Sequence, residues 1–248
     1  MRRHVRYALA VAGIATLLLS GSVGTGLAAA PGPVAVANIS PSAGQVVGVA
    51  MPVTVTFAEP VVDRAAAERS FGITSPNAPQ GNFTWLKNDV VQWNPSGYWP
   101  AHSTVALSVG GAKTSFEAGA SVVGVADLDA HTFTVSVDGQ VARTMPASMG
   151  KPRHTTPIGS FTALEKQSPV VMDSRTIGIP LSDPEGYKLT VYDAVRVTWG
   201  GVYVHGAPWS VASQGNANVS HGCINLSPDN AAWYYDQVSI GDPIIVQA

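Results

Sequence analysis

From Ile39 onward, apolar residues recur at every second position, in short runs that turn residues interrupt. Val53, Val55 and Phe57 alternate with Thr54 and Thr56; Val105, Leu107 and Val109 alternate with Ala106 and Ser108. A period of two belongs to a strand with one buried face, and runs this short imply antiparallel sheets joined by turns. Turn residues at Asn77–Gly81 and Asn94–Gly97 separate the first runs. Only 12% of the 248 residues are charged, while Gly, Pro, Val, Thr and Ser are plentiful, so strands are favoured over helices. The expectation is a mainly β protein that opens with a small antiparallel sandwich over residues 33–121. Trp85, Trp93 and Trp99 are read as its core and corner residues. No catalytic constellation stands out there: His102 is alone, and Asp89 and Glu117 lack an evident acid/base partner.

A second β-rich unit is expected over residues 123–248. Phe133, Val135 and Val137 alternate, and Asp138-Gly139 offers a hairpin turn before Val141. Strand-like runs follow at Tyr187–Tyr192 and Val195–His205, and Pro243–Val246 closes the chain as a buried strand. One short helix is well marked. Ser227 is a good N-cap, Pro228 fits the first turn, Asp229 suits the positive end of the dipole, and Ala231–Tyr235 continue it.

Residues 1–28 read as an export signal. A basic stretch (Arg2, Arg3, Arg6) precedes an apolar segment from Ala8 to Leu19, shorter than a membrane span, and Gly26-Leu27-Ala28 offers a cleavage site. The segment is either removed or kept as an anchor, and no cysteine follows it for lipid attachment. The expected location is the periplasm or cell wall. The leader carries three of the 14 basic residues and none of the 16 acidic ones. The remainder is mildly acidic, which argues against nucleic acid and anionic membrane surfaces as partners.

An exported chain usually pairs its cysteines or has none, and this one has a single cysteine, Cys223, within Ser220-His221-Gly222-Cys223-Ile224-Asn225. The residue is either an inert buried hydrophobe or a nucleophile. A thiol of ordinary pKa is mostly protonated at neutral pH, and an imidazole can take its proton. His205 and His221 are the candidates. His221 lies two positions from the thiol, where good geometry is seldom reached, whereas His205 ends the apolar run Val202-Tyr203-Val204 and can face the thiol from a neighbouring strand. His205 is the favoured base. Gly222 permits a sharp turn and leaves amides near the thiol for an oxyanion. Ser220 and Asn225 flank that turn. One thiolate and two histidines do not make a zinc site, and no Gly-x-Ser-x-Gly is present.

His205 with Ser220–Asn225 resembles the signature of the L,D-transpeptidases, the YkuD-type cysteine enzymes of bacterial peptidoglycan. Thr156-Pro157-Ile158-Gly159-Ser160-Phe161 is similar to a second family element. His205-Gly206-Ala207-Pro208-Trp209-Ser210 and Met172-Asp173-Ser174-Arg175-Thr176 resemble the mycobacterial members, and the likeness extends to Tyr98-Trp99-Pro100. The resemblance implies one Ig-like domain ahead of a YkuD-type β-rich domain with one or two short helices, and no cofactor or metal. It implies that Cys223 attacks the bond between diaminopimelate and D-alanine in a peptidoglycan tetrapeptide stem. A second stem then accepts the acyl group, giving a 3→3 cross-link. It further implies acylation by carbapenems.

By the same resemblance, His205 is base and later acid, the Gly206 carbonyl orients it, and amides of His221, Gly222 and Cys223 hold the oxyanion. Tyr187 lines the site, Gly200, Gly201, Ser220 and Asn225 contact substrate, and Met172 and Trp209 form lid and pocket walls. The sequence departs from the mycobacterial pattern at Gly206, where serine is usual. An L,D-carboxypeptidase, with water as acceptor, and a peptidoglycan-binding module with an inactive site are the competing readings.

Overall fold

The computed structural model describes residues 34–248; the expected export segment lies outside them. The first domain is a sandwich of two four-stranded sheets. One has the lateral order Val36–Ser40, Val53–Phe57, Val90–Pro95, Gly81–Trp85; the other Val46–Val47, Ala112–Ala118, Ser103–Val109, Gly72–Thr74. Alternation does what a period of two requires: Val53, Val55, Phe57, Val105, Leu107 and Val109 all point into the core. Trp93 stacks obliquely on Trp99 at 5.2 Å, Phe116 meets Trp99 edge-on at 5.8 Å, and the Trp99 indole donates to the Met51 carbonyl at 2.8 Å. A helix at Arg64–Arg69, which the alternation gave no hint of, is capped by Asp63 through the Ala66 N–H (2.9 Å).

The second domain is built on two sheets. A five-stranded sheet runs Gln140–Pro146, Thr132–Val137, Val122–Asp127, Pro243–Gln247, Gly159–Thr162, with the C-terminal strand inserted parallel to Val122–Asp127. A four-stranded sheet runs Glu165–Gln167, Ala194–Arg196, Tyr203–Gly206, Ile224–Leu226. The helix Pro228–Gln237 is capped by Ser227, carries Pro228 in its first turn, and packs against the Tyr203–Gly206 strand. Its Tyr234 meets Phe133 edge-on at 4.9 Å, joining both sheets in one core with Val204, Ile224 and Leu226.

The run Val195–His205 is not one strand. It folds back at Gly200-Gly201, where Gly201 has φ +100°, and the Val197 N–H donates to the Val202 carbonyl at 2.8 Å. The run Tyr187–Tyr192 is a strand at Lys188–Val191, paired with Val170–Asp173 in a separate two-stranded ribbon. That ribbon carries an excursion, residues 174–187, over the site described below.

Each domain has its own apolar core, yet they meet through backbone. The Gly48 and Ala50 amides donate to Ile240 and Gly241 carbonyls at 2.8 and 2.9 Å, and the Val49 amide donates to the buried Asp242 carboxylate at 3.2 Å. His102 is not alone either: its Nε2 lies 2.9 Å from Asp138 Oδ2 in the second domain. A cleft of about 670 Å³ between the domains is walled by Tyr98, Phe161 and Trp199, and includes neither Cys223 nor His205.

A β-carbon at Gly48 would sit 2.0 Å from the Asp242 nitrogen and 2.3 Å from the Gly241 carbonyl carbon. Both are backbone atoms, so the domains must separate to admit it. Gly48→Ala should therefore destabilise the protein by about 1–3 kcal/mol, as overpacking does. Urea unfolding beside the parent measures this; an unchanged midpoint would mean that the junction gives way freely.

Candidate active site

His205 lies in the strand Tyr203–Gly206, all four residues of which are buried. Its parallel neighbour is Ile224–Leu226, in the register Val204↔Ile224 and His205↔Asn225. Cys223 stands one residue ahead of that neighbour and two before Asn225. Side chains two apart share a face, which brings thiol and imidazole to one cavity of about 380 Å³ that both line.

The turn before Cys223 is held on three sides. Gly222 has φ +118°, a conformation that a β-carbon resists. Ser220 Oγ accepts from the Gly222 N–H at 3.0 Å and donates to the Cys223 carbonyl at 2.6 Å. Thr156 Oγ1 donates to the Gly222 carbonyl and accepts from the Gly150 N–H, both at 2.9 Å. Ser220 is thus built into the turn, though it also lines the cavity. The Gly222 amide, expected to hold the oxyanion, is engaged by Ser220 Oγ, with which a ligand would compete. The His221 and Cys223 amides make no turn or loop hydrogen bond among the described residues.

His205 Nδ1 is 2.9 Å from the Gly206 carbonyl oxygen. A carbonyl only accepts, so the proton is on Nδ1 and Nε2 is the bare, basic nitrogen. Burial, against a weaker pull from that hydrogen bond, holds the imidazole down at about 4. Burial also pushes the Cys223 thiol up to about 11, with a backbone hydrogen bond at Tyr203 working the other way. The resting pair at neutral pH is therefore thiol and neutral imidazole rather than thiolate and imidazolium. Cys223 Sγ lies 3.7 Å from the Gly201 carbonyl oxygen.

The other expected residues divide. Tyr187, Met172 and Trp209 line the cavity with Cys223. Burial first, then Cys223 and Asp173, raises the Tyr187 phenol, which stays protonated. Trp209 is half exposed, its ring 6.0 Å from the imidazole. Asn225 also borders the cavity, but its side chain is buried and donates to Ser210 Oγ at 3.1 Å, fixing the turn that carries Trp209. Gly201 meets the thiol through its carbonyl, and Gly200 is an exposed turn residue. Three participants escaped the sequence reading: Thr156 as the brace of the turn, Lys151, and Glu185. His221 Nε2 is 2.7 Å from Glu185 Oε2, and Lys151 Nζ contacts the same oxygen. No local pattern marks these pairs, which join residues 34 and 36 positions apart.

Comparison with known proteins agrees with the geometry. Residues 121–246 match the L,D-transpeptidase catalytic domain and residues 21–114 a bacterial Ig domain. The chain is 58% identical over 249 residues to L,D-transpeptidase 1 of Mycobacterium tuberculosis, covering 99% of each. An L,D-transpeptidase from Mycobacterium smegmatis superposes with TM-score 0.83 at 73% identity, over 87% of this chain and all of that one. An L,D-transpeptidase solved in complex with imipenem superposes with TM-score 0.80 at 61% identity, over 86% of this chain and 99% of that one. A lone thiol on a pinned turn, a histidine with one bare nitrogen, and a match along the whole chain lead to one assignment: the protein belongs to the L,D-transpeptidases, acyltransferases that work through a cysteine nucleophile.

Proposed function

We propose that the chain cross-links peptidoglycan by joining two diaminopimelate residues, a 3→3 linkage, and that it does so outside the cytoplasm. What carries this reading is the pairing of Cys223 with an imidazole whose Nδ1 is locked on Gly206 and whose Nε2 is free for a proton. Cys223 Sγ adds to the carbonyl between diaminopimelate and D-alanine while its proton passes to His205 Nε2. The His221 and Cys223 amides stabilise the oxyanion. On collapse the C–N bond breaks, the imidazolium returns the proton to the amine, and D-alanine leaves a thioester on Cys223. The side-chain amine of a second stem then attacks, His205 takes its proton, and the sulfur departs as the amide forms. Imipenem, which occupies a relative, is expected to acylate the same sulfur when its strained lactam opens.

The test is incubation with a disaccharide-tetrapeptide and analysis by mass spectrometry. The expected product is a dimer with loss of one D-alanine. Tripeptide alone would make the protein an L,D-carboxypeptidase, and recovery of unchanged stem would make it a binding module.

Gly206 offers a sharper check. A β-carbon there would lie 3.6 Å from Ala231 Cβ, Pro228 Cα and the Tyr192 carbonyl, an ordinary contact distance. The orienting group is the carbonyl, which serine keeps. Gly206→Ser should change the second-order rate of imipenem acylation only a few-fold. A gain of a hundredfold, about 2.7 kcal/mol in the barrier, would mean that the hydroxyl itself takes part.

A further inference from the structure

Glu185 holds down the excursion that passes over the nucleophile. Residues 174–187 loop out between the strands Val170–Asp173 and Lys188–Val191, and their hydrogen bonds are largely internal. Asp173 accepts from Arg175, Ser174 Oγ donates to the Ile179 carbonyl and accepts from the Tyr187 amide, and Asp183 accepts from the Glu185 amide. Apart from bonds to Asp173 and Ser174 at its own base, the tip from 175 to 186 makes polar contact with the rest of the domain, among the described residues, through one side chain, Glu185. Both of its partners belong to the platform of the nucleophile. His221 is in the turn itself, and Lys151 donates its backbone N–H to Ser220 at 3.0 Å. The His221 ring is further packed between His154 and Tyr187, each at 5.0 Å.

A carboxylate shared by an ammonium and an imidazole N–H makes charge-assisted bonds, stronger than neutral ones. Lys151 first, then His221, hold the Glu185 carboxyl below its usual range, so it is ionised whenever the enzyme works. His221 must then donate from Nε2, which ties its ring to the lid.

We propose that Glu185 is a positioning residue that clasps this lid onto the nucleophile turn through His221 and Lys151, and thereby limits water's access to acyl-Cys223. For the acyl-enzyme the proposal rests on the cross-linking reading above. Water adding to the thioester carbonyl expels the sulfur and, after proton transfer, leaves free thiol and a carboxylic acid. A held lid disfavours that loss and leaves time for an amine acceptor.

The test uses the full chain as parent, Glu185→Ala, Glu185→Gln, and the charge swap Lys151→Glu/Glu185→Lys. The first readout is alkylation of the single thiol by iodoacetamide, which needs no cell-wall chemistry. Alkylation should quicken about tenfold or more in Glu185→Ala, the scale of one lost charge-assisted bond. It should quicken less in Glu185→Gln and return toward the parent rate in the swap, where His221 can accept at Nε2 in its other tautomer. A purely structural role gives no such recovery. The second readout is the ratio of tripeptide to dimer, expected to rise in Glu185→Ala. Equal alkylation of parent and Glu185→Ala overturns the clasp, and so does a swap as fast as the alanine variant. Faster alkylation with an unchanged product ratio overturns the protection from water. A parent that forms no dimer would refute the cross-linking reading, while alkylation still decides the clasp.

Discussion

Cys223→Ala should fold as the parent does and lose acyl transfer by about 10⁴-fold or more, the scale seen when a nucleophile of covalent catalysis is removed. The chain has no second thiol to substitute. The fold should survive because the sulfur packs only at the edge of a small cluster of Val191, Ala194 and Tyr203, apart from the main core. The turn is held by Ser220 and Thr156 acting on backbone atoms of Gly222 and Cys223, and alanine keeps those atoms. Intact-mass measurement after imipenem should find one adduct on the parent and none on the variant. An adduct on the alanine protein would show that another group is acylated.

The distribution of what could be read from sequence follows from the range of each interaction. Alternation is a local property, so the sandwich strands, the Thr132–Val137 strand and the capped helix at Pro228 were all readable. The break at Gly200-Gly201 was missed because valines and a tyrosine on both sides make one continuous β-favouring run, and only φ +100° at Gly201 reveals the reversal. Cys223 and His205, which line one cavity, could be singled out because a lone thiol and a nearby histidine are chemically conspicuous. The engagement of the Gly222 amide was not foreseen, because its partner is Ser220 Oγ, two residues back, a local bond that competes with a ligand. Glu185, Lys151 and Thr156 carry no such mark. Their roles exist only once the lid and the loop after Met149 have been folded against the turn. The pairing of His102 with Asp138 is invisible for the same reason, as it joins two domains.

His205→Gln should lower acylation by about 10²–10⁴-fold, the usual worth of general acid–base catalysis, and should also change how stability responds to pH. His205 is buried and neutral, with its folded value near 4 against 6.5 for the free group. Between those values the unfolded chain binds the extra proton, so this residue makes stability rise with pH, by about 3 kcal/mol across the window. Asp242 works the other way. Burial, opposed by amides of Ser239, Val49 and Val122, raises its carboxyl to about 6 from 3.8. There the folded state holds the proton more tightly, and stability falls as pH rises from about 4 to 6, by a similar amount of about 3 kcal/mol. The two slopes oppose each other in the parent, and removing the imidazole leaves the Asp242 slope exposed. Exposed carboxylates such as Asp138 and Glu185, whose values are lowered, contribute alike to both proteins and cancel in the difference. Denaturant unfolding of parent and His205→Gln at pH 4, 5, 6 and 7 should therefore give a gap that shifts in the parent's favour as pH rises, levelling above the ordinary histidine range. A gap that does not change with pH would mean that the imidazole is charged or solvated in the folded protein, and so is not the neutral base proposed above.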